Sequence, residues 1–419
     1  MSAPRATASL DCDVLIVGGG LVGSALAVAL ADTPLRVVLV EASDPAVLEQ
    51  PSFDARVTAL ANGSKRILAA MGLWEALGVH AEPIETIHVS ERGRFGAARI
   101  LATEEGVEAL GYTIENRRLG EALWARLASA QNCTVLGLAS LREFATTPSG
   151  VRAEIEQAGE RVDVTAEMLV AADGARSRIR AELGIAIRED HYPQHALILN
   201  CRTDRPHRGV AYERFLPTGP LAMLPLPGER VGVVWTLPAE RAAEAAADTD
   251  AKFRADLQHA FGYRLGRIVQ VGQRALHPLR RVRSHSLGRG RIVLVGNAAV
   301  TLHPVAGQGF NLALRDVAAL AELLTAAGRS NDYGSLAERY AASRTADQRK
   351  VALFTHGLVE LFGAALPGLG SARGIGLTAF DLLPAAKSAF ARHTMGIAGR
   401  MPRLARGLPL DGATRPAER

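Results

Sequence analysis

Gly18, Gly20 and Gly23 follow the apolar run VLIV at Gly-x-Gly-x-x-Gly spacing and lead into the small apolar run SALAVALA. A strand that turns through such glycines into a helix is suited to holding phosphate. The first glycine permits the turn, the second lets a ligand approach the backbone, and the third lets helix and strand pack closely. The free N–H groups at the helix start, around Leu21 and Val22, then meet negative charge. Glu41, with Ala42 beside it, closes the next apolar run, RVVLV, at the distance of roughly 20 residues where a carboxylate accepts hydrogen bonds from a ribose diol and repels a 2′-phosphate. These residues predict a site for FAD or NAD, not NADP.

Two later segments repeat the passage from strand to glycine turn. One is LVAADGARSRIR, with Asp173 and Gly174; the other is RIVLVGNAAVTLHPVAGQGFNLALRDV, with Gly296, Asn297, Pro304, Gly307, Gln308, Gly309 and Asn311. A nicotinamide cofactor needs one such motif, whereas a flavin dinucleotide needs contacts along its length, so the recurrence favours FAD. The helix after Gly307 would aim its N-terminus at the pyrimidine end of the flavin ring and stabilise negative charge on it. Two purely structural alternatives stay open: Asp173 as the N-cap of a helix begun at Ala175, and Asn116 as the N-cap of a helix over 117–128.

The elements that must position these residues are α/β in class (α+β overall). Residues 13 to 42 read strand, glycine turn, helix, strand, a βαβ opening of Rossmann type to whose sheet the two later motifs return. Apolar–polar alternation in VAYERFLP and LAMLPLPGERVGVVWTLP, with a turn at Pro227-Gly228, predicts an inserted antiparallel sheet. After Gly309 the pattern becomes helical. The expected division is a discontinuous FAD-binding domain (1–80, 105–190 and 276–345), a substrate domain (81–104 and 191–275) and a helical C-terminal region (346–419).

A chain of 419 residues, 48% hydrophobic and 22% charged, supports a large core in two or three domains. Its net charge of +5 is dispersed, so nucleic acid is not implied. Cys12, Cys133 and Cys201 are far apart without metal-binding spacing, which predicts neither a disulfide framework nor a metal site and fits a cytoplasmic location. No apolar run approaches the roughly 18 residues needed to span a bilayer.

The segments VGGGLVG, FDARVTAL (Phe53 to Leu60), ENRRLGEAL (Glu115 to Leu123), DGARSRIR and LVGNAAVTLHPVAGQGFNLALRDV together resemble the flavoprotein aromatic hydroxylases related to para-hydroxybenzoate hydroxylase. The likeness is closest to the ubiquinone-biosynthesis hydroxylases, through YERFLPTGPLAMLPL, FGYRLGRI and Asn297, where most relatives carry aspartate. It implies that Arg56 lies beside the flavin pyrophosphate, that Asn116 meets the ribityl chain, and that Asp173 serves FAD and NAD(P)H. It also implies an FAD monooxygenase with NAD(P)H as co-substrate, acting through a flavin hydroperoxide on a lipid-soluble phenol such as 2-polyprenyl-6-methoxyphenol. Another aromatic substrate and a non-catalytic flavin-binding scaffold are the alternatives.

No catalytic base is identified; Tyr212 and His303 are candidates by residue type alone. Phe215, Leu221, Met223, Leu224, Val233 and Trp235 form either an apolar cover over the flavin or ordinary core. The segments LVELFGAALPGLG and IGLTAFDLLPAA, followed by Lys387, Arg392, Arg400, Arg403 and Arg406, suit either peripheral contact with the inner face of the cytoplasmic membrane or packing onto the FAD domain or a second subunit. Other ubiquinone-biosynthesis proteins are expected partners.

Overall fold

The structure is a computed structural model that describes residues 8–44, 56–302, 307–363, 369–399 and 401–410. Its first sheet is built from apolar runs covered on both faces, which is why Val14–Ile16 and Val37–Val40 show no apolar–polar alternation. The opening strand, Ala8–Val17, pairs in parallel with Glu160–Ala171 on one side and Val37–Val40 on the other, and the latter pairs with Cys133–Leu136. Ile292–Leu294 adds in parallel beside Glu160–Ala171, so both later glycine motifs do return to this sheet. An antiparallel meander, Ala139–Thr147 and Gly150–Gln157, extends it. The helices Leu21–Leu30, Asn116–Ala128 and Gln308–Ser330 pack around the same core.

The second sheet has nine strands, running from Val300–Thr301 through Ala275–Ser284, Ile187–Thr203, Arg230–Pro238, Gly219–Leu226, Val210–Leu216 and Thr86–Glu91 to Ala97–Leu101, with Ile268–Val271 off the path. It is antiparallel as expected at every pairing but one, since Val210–Leu216 runs parallel to Thr86–Glu91. Residues 187–190 and 276–284, expected in the FAD-binding segments, pair within it. Gly228, at φ +78°, turns the hairpin between Gly219–Leu226 and Arg230–Pro238.

The two faces of this sheet divide its apolar residues by parity. Leu221, Met223, Val233 and Trp235 pack with Phe253, Leu257 and Phe261 of helix Asp250–Phe261, whereas Pro220, Ala222, Leu224, Val234 and Thr236 face a large cavity. Of the six residues offered as a cover, only Phe215 and Leu224 therefore line that cavity.

Helix Leu336–Gly363 runs across the boundary expected between positions 345 and 346. Its first half is tied to helix Gln308–Ser330 by a buried ionic network. Asp316, fully buried, accepts hydrogen bonds from Arg344 Nε (2.6 Å) and Gln348 Nε2 (2.8 Å), while Asp347 accepts from Arg315 Nε (3.0 Å) and from Arg344.

The last helices, Leu369–Asp381 and Pro384–Thr394, pack on the Thr86–Leu101 hairpin. This corrects the lipid-facing assignment of Lys387. Its ammonium is buried, 3.0 Å from Glu104 Oε2 and donating to the Arg99 carbonyl, because a lysine enclosed between helix and sheet needs an acid and an acceptor there. Arg403 donates to the Pro409 carbonyl, Arg392 and Arg406 are exposed, and Arg400 lies outside the described residues. Among the described residues, no helix is long and apolar enough to cross a membrane.

Candidate functional site

The three glycine turns meet at one cavity of about 1040 Å³, at the upper end of the roughly 300–1,000 Å³ usual for small-molecule sites. Gly20, Leu21, Val22, Arg56, Asn116, Gly174, Gly296, Asn297, Gly307, Gln308, Gly309 and Asn311 all line it. Gly18 and Gly23 lie just behind, where they shape the turn. Gly18 sits at φ +104°, and a Cβ on Gly23 would fall 1.8 Å from the Gly18 carbonyl oxygen. Helix Leu21–Leu30 starts without any side-chain cap, so its first N–H groups remain available to a phosphate in the cavity.

Glu41 is held beside this turn, accepting hydrogen bonds from Gly19 N (2.6 Å) and Ser43 N (2.8 Å). Neither Glu41, which is buried behind the turn, nor the exposed Ala42 beside it lines the cavity. Arg56 presents its carbonyl to Asn116 N at 2.8 Å, which brings those two predicted residues together. Asn116 is not an N-cap: the helix begins at Asn116 itself with Glu115 before it, and the Asn116 carboxamide oxygen accepts from Thr58 Oγ1 at 2.6 Å.

The second turn differs from expectation in its cap. The helix begins at Arg178 rather than Ala175, and Ser177 Oγ caps it by accepting from Arg180 N. Asp173 Oδ2 accepts from Ile179 N at 3.3 Å, and its Oδ1 is buried with no partner among the described residues. Arg180, not singled out from the sequence, donates to the carbonyls of Ala298 (2.8 Å) and Ala175 (2.9 Å) and so ties the second turn to the third.

In the third turn Gly296 (φ +57°) packs where a Cβ would lie 2.9 Å from Val22 Cγ2, and Gly307 (φ +58°) opens helix Gln308–Ser330 without a side-chain cap. Asn311 serves as a strut. Its carboxamide accepts from Ala61 N and Ser64 Oγ and donates to the carbonyls of Ala59 and Gly307, so its polar atoms are engaged within the protein. Pro304 and the candidate base His303 lie outside the described residues.

Tyr212 borders the cavity through its backbone strand but turns its ring to the opposite face, edge-on to Phe261 at 5.3 Å, and burial pushes its phenol above the usual range, which disfavours it as a base.

A dinucleotide flavin fits this site. Two uncapped helix starts and three glycine-lined approaches serve a long anionic ligand, and at Gly174 and Gly309 no atom lies within 4 Å of where a Cβ would be. The orphaned Asp173 Oδ1 adds an acceptor for a cofactor hydroxyl or N–H.

The family model described as FAD binding domain matches residues 11–355. The chain is 39% identical to the ubiquinone hydroxylase UbiL of Rhodospirillum rubrum over 96% of this chain and 95% of that protein. The chain belongs to the FAD-dependent hydroxylases of ubiquinone biosynthesis. It is 31% identical to the 3-demethoxyubiquinol 3-hydroxylase of Escherichia coli, over 92% of this chain and 98% of that one. Among solved structures, p-nitrophenol 4-monooxygenase PnpA from Pseudomonas putida DLL-E4 shares its fold at TM-score 0.78 and 17% identity, covering 94% of this chain and 100% of that chain.

As a member of this family of FAD-dependent monooxygenases, the protein would hold the pyrophosphate at the start of helix Leu21–Leu30 and the adenosine ribose at Glu41. Glu41→Ala is expected to weaken FAD binding by about 2 kcal/mol, on the order of thirtyfold, by removing a charged acceptor. Titrating the flavin-free protein with FAD and following flavin fluorescence checks this, and unchanged affinity would remove Glu41 from the ribose.

The sequence did not reveal the far end of the cavity. Phe354 and Phe362 of one C-terminal helix, and Phe380 and Phe390 of the next two, close it with apolar surface. Phe362 stacks on Phe215 at 3.6 Å, and Arg373 is held against this wall by both carboxylate oxygens of Glu91. Helical spacing of aromatics signals only a buried face, not which cavity it covers.

Proposed function

We propose that this protein hydroxylates the ring of a polyprenylated phenol in ubiquinone biosynthesis, with electrons from NAD(P)H and oxygen from O2, and that 2-polyprenyl-6-methoxyphenol is the substrate to test first. The observation that carries this reading is the shape of this cavity. It runs from the glycine turns, past the inner face of the second sheet, to a wall of C-terminal aromatic and aliphatic residues. An apolar chain attached to a phenol ring fits the far end while the ring stays near the glycine turns. The similarity to a ubiquinone hydroxylase of Rhodospirillum rubrum and a 3-demethoxyubiquinol 3-hydroxylase of Escherichia coli supports the same substrate class.

Bound FAD supplies the redox chemistry, accepting electrons from the nicotinamide and activating O2. The chain's own residues do the rest. Gly20, Leu21, Val22 and Arg56 would bind the phosphates, and Asn116 and Asn297, which line the cavity, with Asp173 behind them, would meet the cofactor's polar chain. Gly307, Gln308 and Gly309 present a helix N-terminus to the cavity, which would stabilise negative charge on a bound flavin. Ile198, Ala222, Leu224 and Val234 exclude water from the reacting ring, which protects the oxygen-transfer step from hydrolysis. The FAD-binding and substrate domains thus contribute opposite walls of one site.

Peripheral contact with a membrane belongs to the same proposal. Ile375, Leu382 and Leu383, on and just after helix Leu369–Asp381, are exposed, as is Phe95 on the neighbouring turn. These apolar residues, rather than Lys387, form the surface through which a lipid-dissolved substrate would reach the cavity.

FAD-loaded protein given 2-geranyl-6-methoxyphenol and NADPH under ¹⁸O2 is expected to yield a product carrying one labelled oxygen, read by mass spectrometry. An unlabelled product, or NADPH consumption that produces only hydrogen peroxide with this and related prenylated phenols, would reject the assignment.

A further inference from the structure

The cavity contains a carboxylate that cofactor binding does not use. Among the described residues lining it, the charged side chains are Arg56, Arg373 and Glu213, so Glu213 is the lone acid. The strand register fixes its place: Glu213 stands between Val89 on one neighbouring strand and Ala222 on the other, with Val234 and Ile198 next across the sheet. All four are apolar and face the cavity.

The charges on adjacent positions turn elsewhere. His88 and Arg214 alternate to the opposite face, and from the helices across the cavity Arg373 is neutralised by Glu91. No described residue forms an ion pair with Glu213. Its side chain is half-buried against the cavity, and that burial pushes its carboxyl up, to about 7.

An unpaired carboxylate among aliphatic side chains costs stability and packs nothing that a leucine would not pack better. Such a group is accounted for by a ligand that supplies the missing donor. A phenolic hydroxyl does so, and a prenyl chain beside it matches the surrounding apolar wall.

We propose that Glu213 is a catalytic residue: it accepts the hydrogen bond of the substrate's ring hydroxyl and takes its proton as oxygen is inserted into the ring. This rests on the phenol reading above. The phenol O–H bond breaks, an O–H bond forms on the Glu213 carboxylate, and the electron pair left on the phenol oxygen is drawn into the ring toward the attacked carbon. When that carbon sheds its hydrogen as a proton to solvent and the ring regains aromaticity, Glu213 returns its proton to the oxygen and is reset. A carboxylate that titrates near neutral pH is matched to accepting a proton under those conditions and to giving it back.

The test compares 2-geranylphenol with 2-geranylanisole, its methyl ether, which lacks the donated hydrogen, by calorimetric titration of FAD-loaded protein. The wild type is expected to prefer the phenol by about tenfold or more, as a hydrogen bond to a charged acceptor gives. Glu213→Leu should abolish the preference, and Glu213→Gln, whose amide oxygen still accepts, should keep part of it. In Glu213→Gln, hydroxylation turnover should fall by about a hundredfold or more, the usual loss of a general base.

Thermal unfolding provides a check independent of ligand. A carboxyl raised by burial costs stability above its folded pKa, and this cost is relieved as pH falls through that value. Glu213→Gln should therefore melt higher than wild type at pH 8 and close to it at pH 5. A preference for the phenol that survives in Glu213→Leu, equal binding of both compounds by wild type, or lower melting of both variants at pH 8 overturns the assignment while leaving the phenol reading in place. If wild type binds neither compound, the phenol reading fails and the role of Glu213 fails with it.

Discussion

Gly23→Ala is expected to purify as a folded but colourless protein. A Cβ at this position would lie 1.8 Å from the Gly18 carbonyl oxygen, and that oxygen belongs to backbone that cannot swing aside as a side chain can. The helix start must therefore back away from the strand end, carrying the N–H groups of Leu21 and Val22 out of reach of a phosphate. Loss of two or three charge-assisted hydrogen bonds corresponds to roughly 3–5 kcal/mol, or 10²–10⁴-fold in FAD affinity. Gly357→Ala is the control. A Cβ on Gly357 would meet nothing within 4 Å, and this glycine lies inside helix Leu336–Gly363, so alanine there should leave flavin content unchanged and add slightly to stability. Flavin absorbance per protein after gel filtration measures both variants, and full yellow occupancy in Gly23→Ala would contradict the phosphate role of the first turn.

Arg344→Met is expected to destabilise the fold by about 3–5 kcal/mol, the usual cost of leaving one member of a buried ion pair alone. Asp316 is fully buried, and its carboxyl is already pushed up by burial despite the guanidinium beside it. Without Arg344 it must either remain charged in apolar surroundings or take up a proton. Since the folded protein would then bind a proton that the unfolded chain does not, the loss should be largest at pH 8 and smaller near pH 5. Asp316→Leu added to Arg344→Met should recover much of the stability, because an apolar pair of similar volume avoids the buried charge altogether. Thermal melts of the three variants at the two pH values decide the matter; equal losses at both pH values would show that packing, not the orphaned carboxylate, dominates.

The parts of the site that were legible in the sequence are those that local chain geometry determines. Each glycine turn sits between a strand and a helix a few residues away, so Gly20, Gly174, Gly296 and Gly307 could be placed without knowing the rest of the fold, and the structure brings them to one cavity. Residues whose roles depend on distant partners were not legible in this way. Asn311 resembles a cofactor contact until its carboxamide is seen to join strand Val57–Ala61 to the third turn. Lys387 resembles a lipid anchor until Glu104 is found beside it.

The cover over the cavity failed for a different reason. Both faces of the second sheet are largely apolar, so the alternation alone does not show which parity points inward, and a one-residue change exchanges Met223 for Ala222 and Leu224. The charged residue on the inner face, Glu213 in the run VAYERFLP, was the one that could have set the parity.

The lone parallel pairing in the second sheet has a consequence for synthesis on the ribosome. Thr86–Glu91 can fold back on Ala97–Leu101 at once, but its other edge waits for Val210–Leu216, about 120 residues later. At translation rates of about 5–20 residues per second, that edge stays unpaired for roughly 6–25 s. An open strand edge carrying Ile87 and Val89 is a template for pairing with another nascent chain. Between these two events the ribosome also makes the strand Glu160–Ala171, so the central strands of the first sheet can pair while the second is still half built. The order of emergence thus lets the first two glycine turns form before the substrate half, while the third turn, which follows Ile292–Leu294, completes the cofactor-binding half last.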